Sequence, residues 1–333
     1  MTRHTRVSRR DFLASGAAAA ACFAAAPARA QQDFPSKPVR LIVGFAPGGS
    51  TDTLARLIAP FLSDNLGKPV LIENRSGGNG NLAAETVVRA PADGHTLTLS
   101  NTSLIVSAPH AYPNMSVDPV RGLKHITMIA EGRHVMLCNP ELAGRSLADI
   151  VAMSKAAPDR MIHASTGAGS TNSIGFELFQ LRTGSRFKTV HYRGTGPIIN
   201  DMLANQVHLT IASEAAAEPY IASGRLGAVM IMAKARVPHL PNVPSSAELG
   251  VLDVDRITFW NGLHAATDTP EPIVRRLEGA IRTILANPEL RGKMENLRLS
   301  IVGDSPDQFT ARVLADYALY GELFKAANIK IEQ

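Results

Sequence analysis

The chain has 333 residues, of which 45% are hydrophobic and 5% aromatic, with a formal net charge of +5 and two cysteines. This length exceeds what one hydrophobic core usually serves and predicts two domains. Two cysteines exclude a disulfide scaffold, and the charge, followed along the chain, excludes a nucleic-acid partner: the first thirty residues hold Arg3, Arg6, Arg9, Arg10 and Arg29 against Asp11, so +4 of the +5 lies there and +1 remains.

The opening stretch "SRRDFLASGAAAAACFAAAPARA" pairs Arg9 with Arg10, follows them with Phe12 and Leu13, and continues in an alanine-rich run too short to span a bilayer. It ends in an A-x-A site at Ala28 to Ala30. That order predicts a twin-arginine export signal over residues 1–30, a mature chain from near Gln31, and work in the periplasm. The residues before Cys22 are all alanine and lack the leucine that a lipid-modified cysteine usually follows, so a lipid anchor there is the minor alternative. Cys138, within "VMLCNP", reads as a small core residue.

From residue 39 onward, strand-like runs alternate with amphipathic helices, the pattern of mostly parallel sheets flanked by helices. "VRLIV" (39–43) leads to a helix with Leu54, Leu57, Ile58, Phe61 and Leu62 on one face, stopped by Gly67 and Pro69. "VLIE" (70–73) precedes the loop "NRSGGNGN" and a helix reaching Arg89, and "HTLTLS" (95–100) is the third strand. A similar half begins after residue 134. "VMLCN" is a strand, Ser146 and Asp149 suit a helix start, and "IHAS" (162–165) runs through a Gly-rich turn into the helix of "TGAGSTNSIGFELFQL". "FKTVHY" (187–192), a helix begun by Pro197, "VHLTIA" (207–212) and "LGAVMIM" (226–232) follow. Two helices close the chain, opened by Pro270 and by Ser305 with Pro306, and are expected to pack back onto the first lobe. The expectation is two α/β lobes, residues 31–132 with 256–333 and residues 133–255, crossing near 130–134 and 252–262.

The loop "GFAPGGSTD" invites comparison with a phosphate loop, GxxxxGKS or GxxxxGKT, but Ser50 stands where that motif needs lysine. Without the lysine, and with no second acidic motif for Mg²⁺, nucleotide hydrolysis loses its electrostatic support. An anion cradle survives. "ASTGAGSTN" repeats the device after a strand of the second half. In each, glycines let successive N–H groups face one oxygen anion, and the helix N-terminus adds about half a positive charge. The candidate ligand contacts are Phe45, Gly48, Gly49, Ser50, Thr51 and Asp52 in the first loop, Ser165, Thr166, Gly167, Gly169, Ser170 and Thr171 in the second, and Thr195 and Ser213 beyond them. Two cradles facing each other suit a small molecule with a carboxylate at one or both ends.

Catalysis and metal binding find no support. Ser170 sits on a strand-to-helix turn, but a GxSxG elbow there requires glycine at 168 and 172, where the chain has Ala168 and Asn172. The histidines, His163, His191 and His208 among them, show neither a triad order nor metal-ligand spacing. No catalytic residue, metal or cofactor is expected.

The chain resembles the substrate-binding proteins of tripartite tricarboxylate transporters, the Bug receptors. The likeness runs through "FPSKPVRLIVGFAPGGSTDTLAR", "LGKPVLIENRSGGNGNLAAE", "APADGHTLTLSN", "YRGTGPIINDMLANQVHL", "LPNVPSSAELG" and "TPEPIVRRL". The resemblance implies a two-lobed periplasmic binding protein fold, type II-like, and a monomeric receptor that closes on a carboxylated metabolite through backbone groups and ordered water. Its partners would be membrane transporter components or, alternatively, a membrane sensor. Three departures stand out: Ala212 where the family often has aspartate, Ser173 where it often has histidine, and Gly44 where it often has proline. Loss of the aspartate disfavours an amino-acid ligand, unless Glu214 substitutes. Arg75, Arg133 and Arg193 are the nearest cations in sequence; each reads first as a surface or hinge residue, and Arg193 is the strongest of the three for direct carboxylate pairing. Phe45, Tyr192 and Trp260 are the candidate aromatic walls, with core packing the competing role for Trp260.

Overall fold

The computed structural model describes residues 34–326 except 113, 159 and 258. Residues 1–30, expected to be an export signal, and Cys22 among them lie outside the described residues.

Strand β1 (Val39–Val43) is buried at every position but Arg40, as befits a central strand covered on both faces. Helix α1 (Ser50–Leu66) follows and is stopped by Gly67 in the left-handed conformation, φ 69°, whose N–H returns to Ser63 O. Then come β2 (Val70–Asn74), α2 (Asn81–Val88) and β3 (Thr96–Asn101). A π-helical turn over Ser103–Ser107 runs into the short α3 (Ala108–Ala111) and, after a loop, β4 (Leu123–Gly132). Arg133 alone separates β4 from β5 (His134–Cys138), which already belongs to a second sheet.

That second body continues through α4 (Leu147–Ala156), β6 (Ile162–Ser165), α5 (Thr171–Thr183), β7 (Lys188–His191), α6 (Thr195–Leu203), β8 (Leu209–Ser213), α7 (Glu214–Ala222) and β9 (Gly227–Ile231). The chain then returns as β10 (Phe259–Ala266), α8 (Glu271–Leu285), α9 (Pro288–Asn296), β11 (Ser300–Ile301) and α10 (Pro306–Ala326).

The first sheet has six strands in the order β11-β4-β10-β3-β1-β2, and the second has five, β7-β6-β8-β5-β9. Both are mixed. β1 runs parallel to β2 and β3, while β10 is antiparallel to β3 and β4. β6 runs parallel to β7 and β8, while β5 is antiparallel to β8 and β9. Of the antiparallel strands, β5 and β10 are those at which the chain enters the second sheet and returns to the first.

β4 and β10 have 10 and 8 residues and lie where no strand is expected from the sequence pattern, the second beginning in the stretch read as a crossing. Every residue of β10 is buried, and Asn261 and His264 are each partnered at only one polar atom, by residues distant in sequence. Asn261 Oδ1 accepts from Thr51 Oγ1 at 3.0 Å, and His264 Nδ1 lies 2.8 Å from His125 Nδ1 of β4. Neither polar residue looks like strand core until those partners are present.

The terminal helices complete the first body. α8 buries Val274, Leu277, Ile281 and Ile284 at helical spacing in one cluster with Leu54, Ile58 and Leu62 of α1. α10 buries Phe309, Val313, Tyr320 and Leu323 in another, and Trp260 Nε1 of β10 donates to Asp316 Oδ2 of α10 at 2.7 Å. Trp260 is therefore core, and each such large side chain contributes about 1.5–3 kcal/mol by burial. The ends of β1, β3, β6 and β8 thereby face each other across one cleft.

Candidate ligand-binding cleft

The first loop is shaped from within. Gly48 takes φ 85°, and its N–H donates to Asp52 Oδ2 at 3.0 Å. The same carboxylate accepts from Arg56 Nε at 2.9 Å and Asn74 Nδ2 at 2.9 Å, and Asn74 also donates to Phe45 O at 3.0 Å. Burial pushes the Asp52 carboxyl up, but the bonds from Arg56, Asn74 and Gly48 outweigh it and hold the group below its ordinary value. Asp52 is thus a charge that organises the loop. Thr51 is pinned from behind, donating to Asn261 Oδ1 and accepting from Asn101 Nδ2 at 3.2 Å. What the loop presents is Phe45, Gly49, Ser50 and the edge of Thr51.

The second loop follows the same logic. Ser165 Oγ donates to Gly167 O at 2.9 Å, and Ser170 Oγ accepts from Ser173 N at 3.1 Å, capping α5. Gly167 and Gly169 adopt φ 135° and 69°. His163 stacks on Phe176 with ring centroids 3.6 Å apart, and its Nε2 lies 3.0 Å from Asn172 Oδ1. Burial pushes its pKa down to about 3, so it is a neutral core residue, and Ser170 Oγ has Ser165 Oγ as its side-chain partner at 3.3 Å.

Between these loops lies a narrow cleft open to solvent. Of the residues expected at the ligand, Phe45, Gly49, Ser50, Thr51, Thr166, Thr171, Thr195 and Ser213 line it. Gly167 and Thr166 border a neighbouring cavity, whereas Gly48, Asp52, Ser165, Gly169 and Ser170 stand behind the lining as loop supports. Asn101, Ser103, His134, Asn172, Ile211, Ala212 and Phe259 complete the walls. Asn101, Ser103, His134 and Phe259 carry no local motif; the signal that points to Asn101 and Ser103 is their position at and just past the carboxyl end of a strand in an open α/β sheet.

The lining contains no Lys, Arg, Asp or Glu. It is made instead from the first residues of α1, α5 and α6 (Ser50, Thr171 and Thr195) and from Ser213, the N-cap of α7. The caps of α1 and α6 are Gly49 and Gly194, which offer no side chain to the first-turn amides. Four helix N-termini, each equivalent to about half a positive charge, converge on one space. Such a site attracts an anion and repels an ammonium group. His134, kept neutral by burial with its pKa pushed down to about 4, adds no charge.

The remaining cations sit elsewhere. Arg75 pairs with Glu73 at 3.4 Å and Arg133 with Glu214 at 3.9 Å. Glu214 is 1% exposed and 2.6 Å from His239 Nε2, outside the cleft lining, and so supplies no counter-charge there. Tyr192 donates to Asp201 at 2.6 Å, and both Tyr192 and Arg193 border the neighbouring cavity. Among the described residues no cluster of His, Cys, Asp and Glu could hold a metal ion, and no helix is long and apolar enough to cross a membrane.

The profile of the tripartite tricarboxylate transporter family receptor matches residues 54–329. The chain belongs to this family. Protein BugT of Bordetella pertussis is 37% identical over 227 residues, covering 68% of this chain and 69% of its own. Among solved structures, MatC of Rhodopseudomonas palustris with bound malate is 28% identical with a TM-score of 0.83, over 87% of this chain and 99% of its own. R. palustris Rpa4515 with adipate is 31% identical with a TM-score of 0.84, over 89% of this chain and 99% of its own. The receptor family and the two-lobed periplasmic binding protein fold implied by the sequence resemblance are both borne out.

Proposed function

We propose that this receptor captures a small carboxylated metabolite between residues 31–132 with 256–333 as one lobe and residues 133–255 as the other, and hands it to the membrane components of a tripartite tricarboxylate-type transporter. Residues 1–30 direct export by the twin-arginine route, and the mature protein acts as a periplasmic monomer without catalysis. The observation that carries this reading is a cleft built from four helix N-termini with no charged side chain in its lining. A carboxylate bound there is held by backbone amides and by the hydroxyls of Ser50, Thr166, Thr171 and Thr195. Malate and adipate in related structures support that ligand chemistry. With Ala212 in the wall and Glu214 outside it, an amino acid would leave its ammonium without a partner.

Closure follows from linkage: a ligand that touches both lobes stabilises the closed form by the difference in its affinity for the two forms. Thermal unfolding of purified, ligand-free protein with mono-, di- and tricarboxylates, aromatic acids and amino acids tests the reading. An acid at about a hundred times its Kd adds about 2.7 kcal/mol and raises the midpoint. Shifts with amino acids but not with simple acids would overturn it.

A further inference from the structure

Three polar side chains of the cleft lining touch one another in a row. His134 is the first residue of β5, where the chain enters the second sheet; Thr171 opens α5 over that sheet, and Ser103 follows β3 of the first. His134 Nε2 lies 3.3 Å from Thr171 Oγ1, which lies 3.0 Å from Ser103 Oγ. All three side chains are buried.

Hydrogen counting allows the row two directions. A neutral imidazole carries one N–H, and each hydroxyl carries one O–H. With the ring proton on Nδ1, Ser103 donates to Thr171 and Thr171 donates to His134 Nε2, which leaves the row only lone pairs to offer a ligand. With the ring proton on Nε2, His134 donates to Thr171 and Thr171 donates to Ser103. Ser103 Oγ, which also accepts from Thr171 N at 3.1 Å, then keeps its own O–H for the cleft. The tautomer of one histidine thus decides whether this end of the site gives a donor.

The surroundings of the ring favour the second direction. Nδ1 has no hydrogen-bond partner among the described residues, and a buried ring nitrogen in that position is better left as a lone pair than as an N–H. Burial keeps the ring neutral, with its pKa pushed down to about 4 although the Ile257 carbonyl pulls the other way. Phe259 packs edge-to-face on the ring, with centroids 5.3 Å apart, and holds its plane.

We infer that His134 is a positioning residue for the bound carboxylate: its Nε2–H, relayed through Thr171, sets the Ser103 hydroxyl as a donor to the ligand. The inference rests on the carboxylate-receptor reading and adds specificity to it. A ligand group that must itself donate at this end, such as an ammonium or an amide N–H, meets a donor and is refused.

Histidine-selective ¹⁵N spectra of wild type with saturating malate or adipate read the tautomer, since the protonated and bare nitrogens of a neutral imidazole differ widely in shift. The His134 signals, identified by their loss in His134→Gln, are expected to show the proton on Nε2. Calorimetry with the same acids compares His134→Phe, which keeps a ring but has no proton to give, with His134→Gln, whose amide N–H has about the reach of Nε2. His134→Phe should weaken binding about tenfold, and His134→Gln should recover it to within about threefold of wild type. In a Ser103→Ala background His134→Phe should cost nothing further, because the group it positions is gone; a side chain that only packs would cost the same factor in both backgrounds. A proton on Nδ1 in the complex, or equal losses in the two backgrounds, overturns the positioning role and leaves the receptor reading standing. If wild type binds neither acid, the receptor reading itself fails and takes the inference with it.

Discussion

The hydroxyls of Ser103 and Thr171 lie 3.0 Å apart, one just beyond β3 of the first sheet and the other at the first position of α5 over the second. The Thr171 amide also donates to Ser103 Oγ at 3.1 Å, so one side chain ties the start of a helix to the opposite lobe. Ser107 Oγ donates to Gly169 O alongside. Both contacts cross between the segments that follow the first sheet's β3 and those that open α5 over the second sheet. Ser103→Ala removes two neutral hydrogen bonds worth about 1 kcal/mol each, and ligand affinity is expected to fall about tenfold or more, because fewer contacts between the lobes then favour the closed form. Calorimetry reads the affinity and small-angle scattering reads the opening of the ligand-free form. An unchanged Kd would show that the lobes close without this bond.

Gly49 and Gly169 separate ligand contact from lobe contact. Gly49 has φ -80°, open to any residue, and a Cβ there would have Ala46 O at 3.7 Å and Thr195 N at 4.0 Å as neighbours. Gly49→Val therefore fits the backbone and fills the cleft: stability should change by less than about 1 kcal/mol while the ligand-induced thermal shift disappears. Gly169 has φ 69°, and a Cβ there would sit 1.9 Å from Ala111 Cβ on the other lobe. Gly169→Ala should lose ligand binding by wedging the lobes apart, and should also lower stability by about 1 kcal/mol through backbone strain. A Gly49→Val protein that keeps its ligand shift would take the first loop out of the site.

The elements legible in the sequence are those whose burial repeats locally. "VRLIV" and "IHAS" occupy β1 and β6 with the expected ends, since each is a short apolar run before a Gly-rich loop. β4 and β10 escape such a reading because Thr127, Asn261 and His264 interrupt them, and the partners that make burial tolerable are distant in sequence. The site divides in the same way. The glycines and hydroxyls of both loops are visible as a pattern, but which hydroxyl faces the cleft is not. Ser165 and Ser170 turn inward to hold the loop, whereas Ser103 and His134 reach the lining from segments without any motif.

Burial of neutral histidines gives the protein a defined acid sensitivity. Burial pushes the pKa of His125 and His134 down to about 4 and that of His163 to about 3, and it holds His264, which also faces His125, well below the ordinary 6.5. In the unfolded chain all four titrate near 6.5, so as the pH falls through that value the unfolded state takes up protons that the folded state refuses. The stabilisation is complete above about pH 6.5 and is lost progressively as the pH falls toward the folded values. Glu177 and Asp304, whose carboxyls burial raises, act in the opposite sense and offset part of the loss. Urea unfolding at about pH 7 and about pH 5 should show stability lower by a few kcal/mol at the lower pH, since each pKa unit is worth about 1.4 kcal/mol. The imidazole proton shifts of these four residues should stay constant over the same range. A midpoint that does not move, or imidazole signals that titrate near 6.5, would mean that these side chains are solvated in the folded protein.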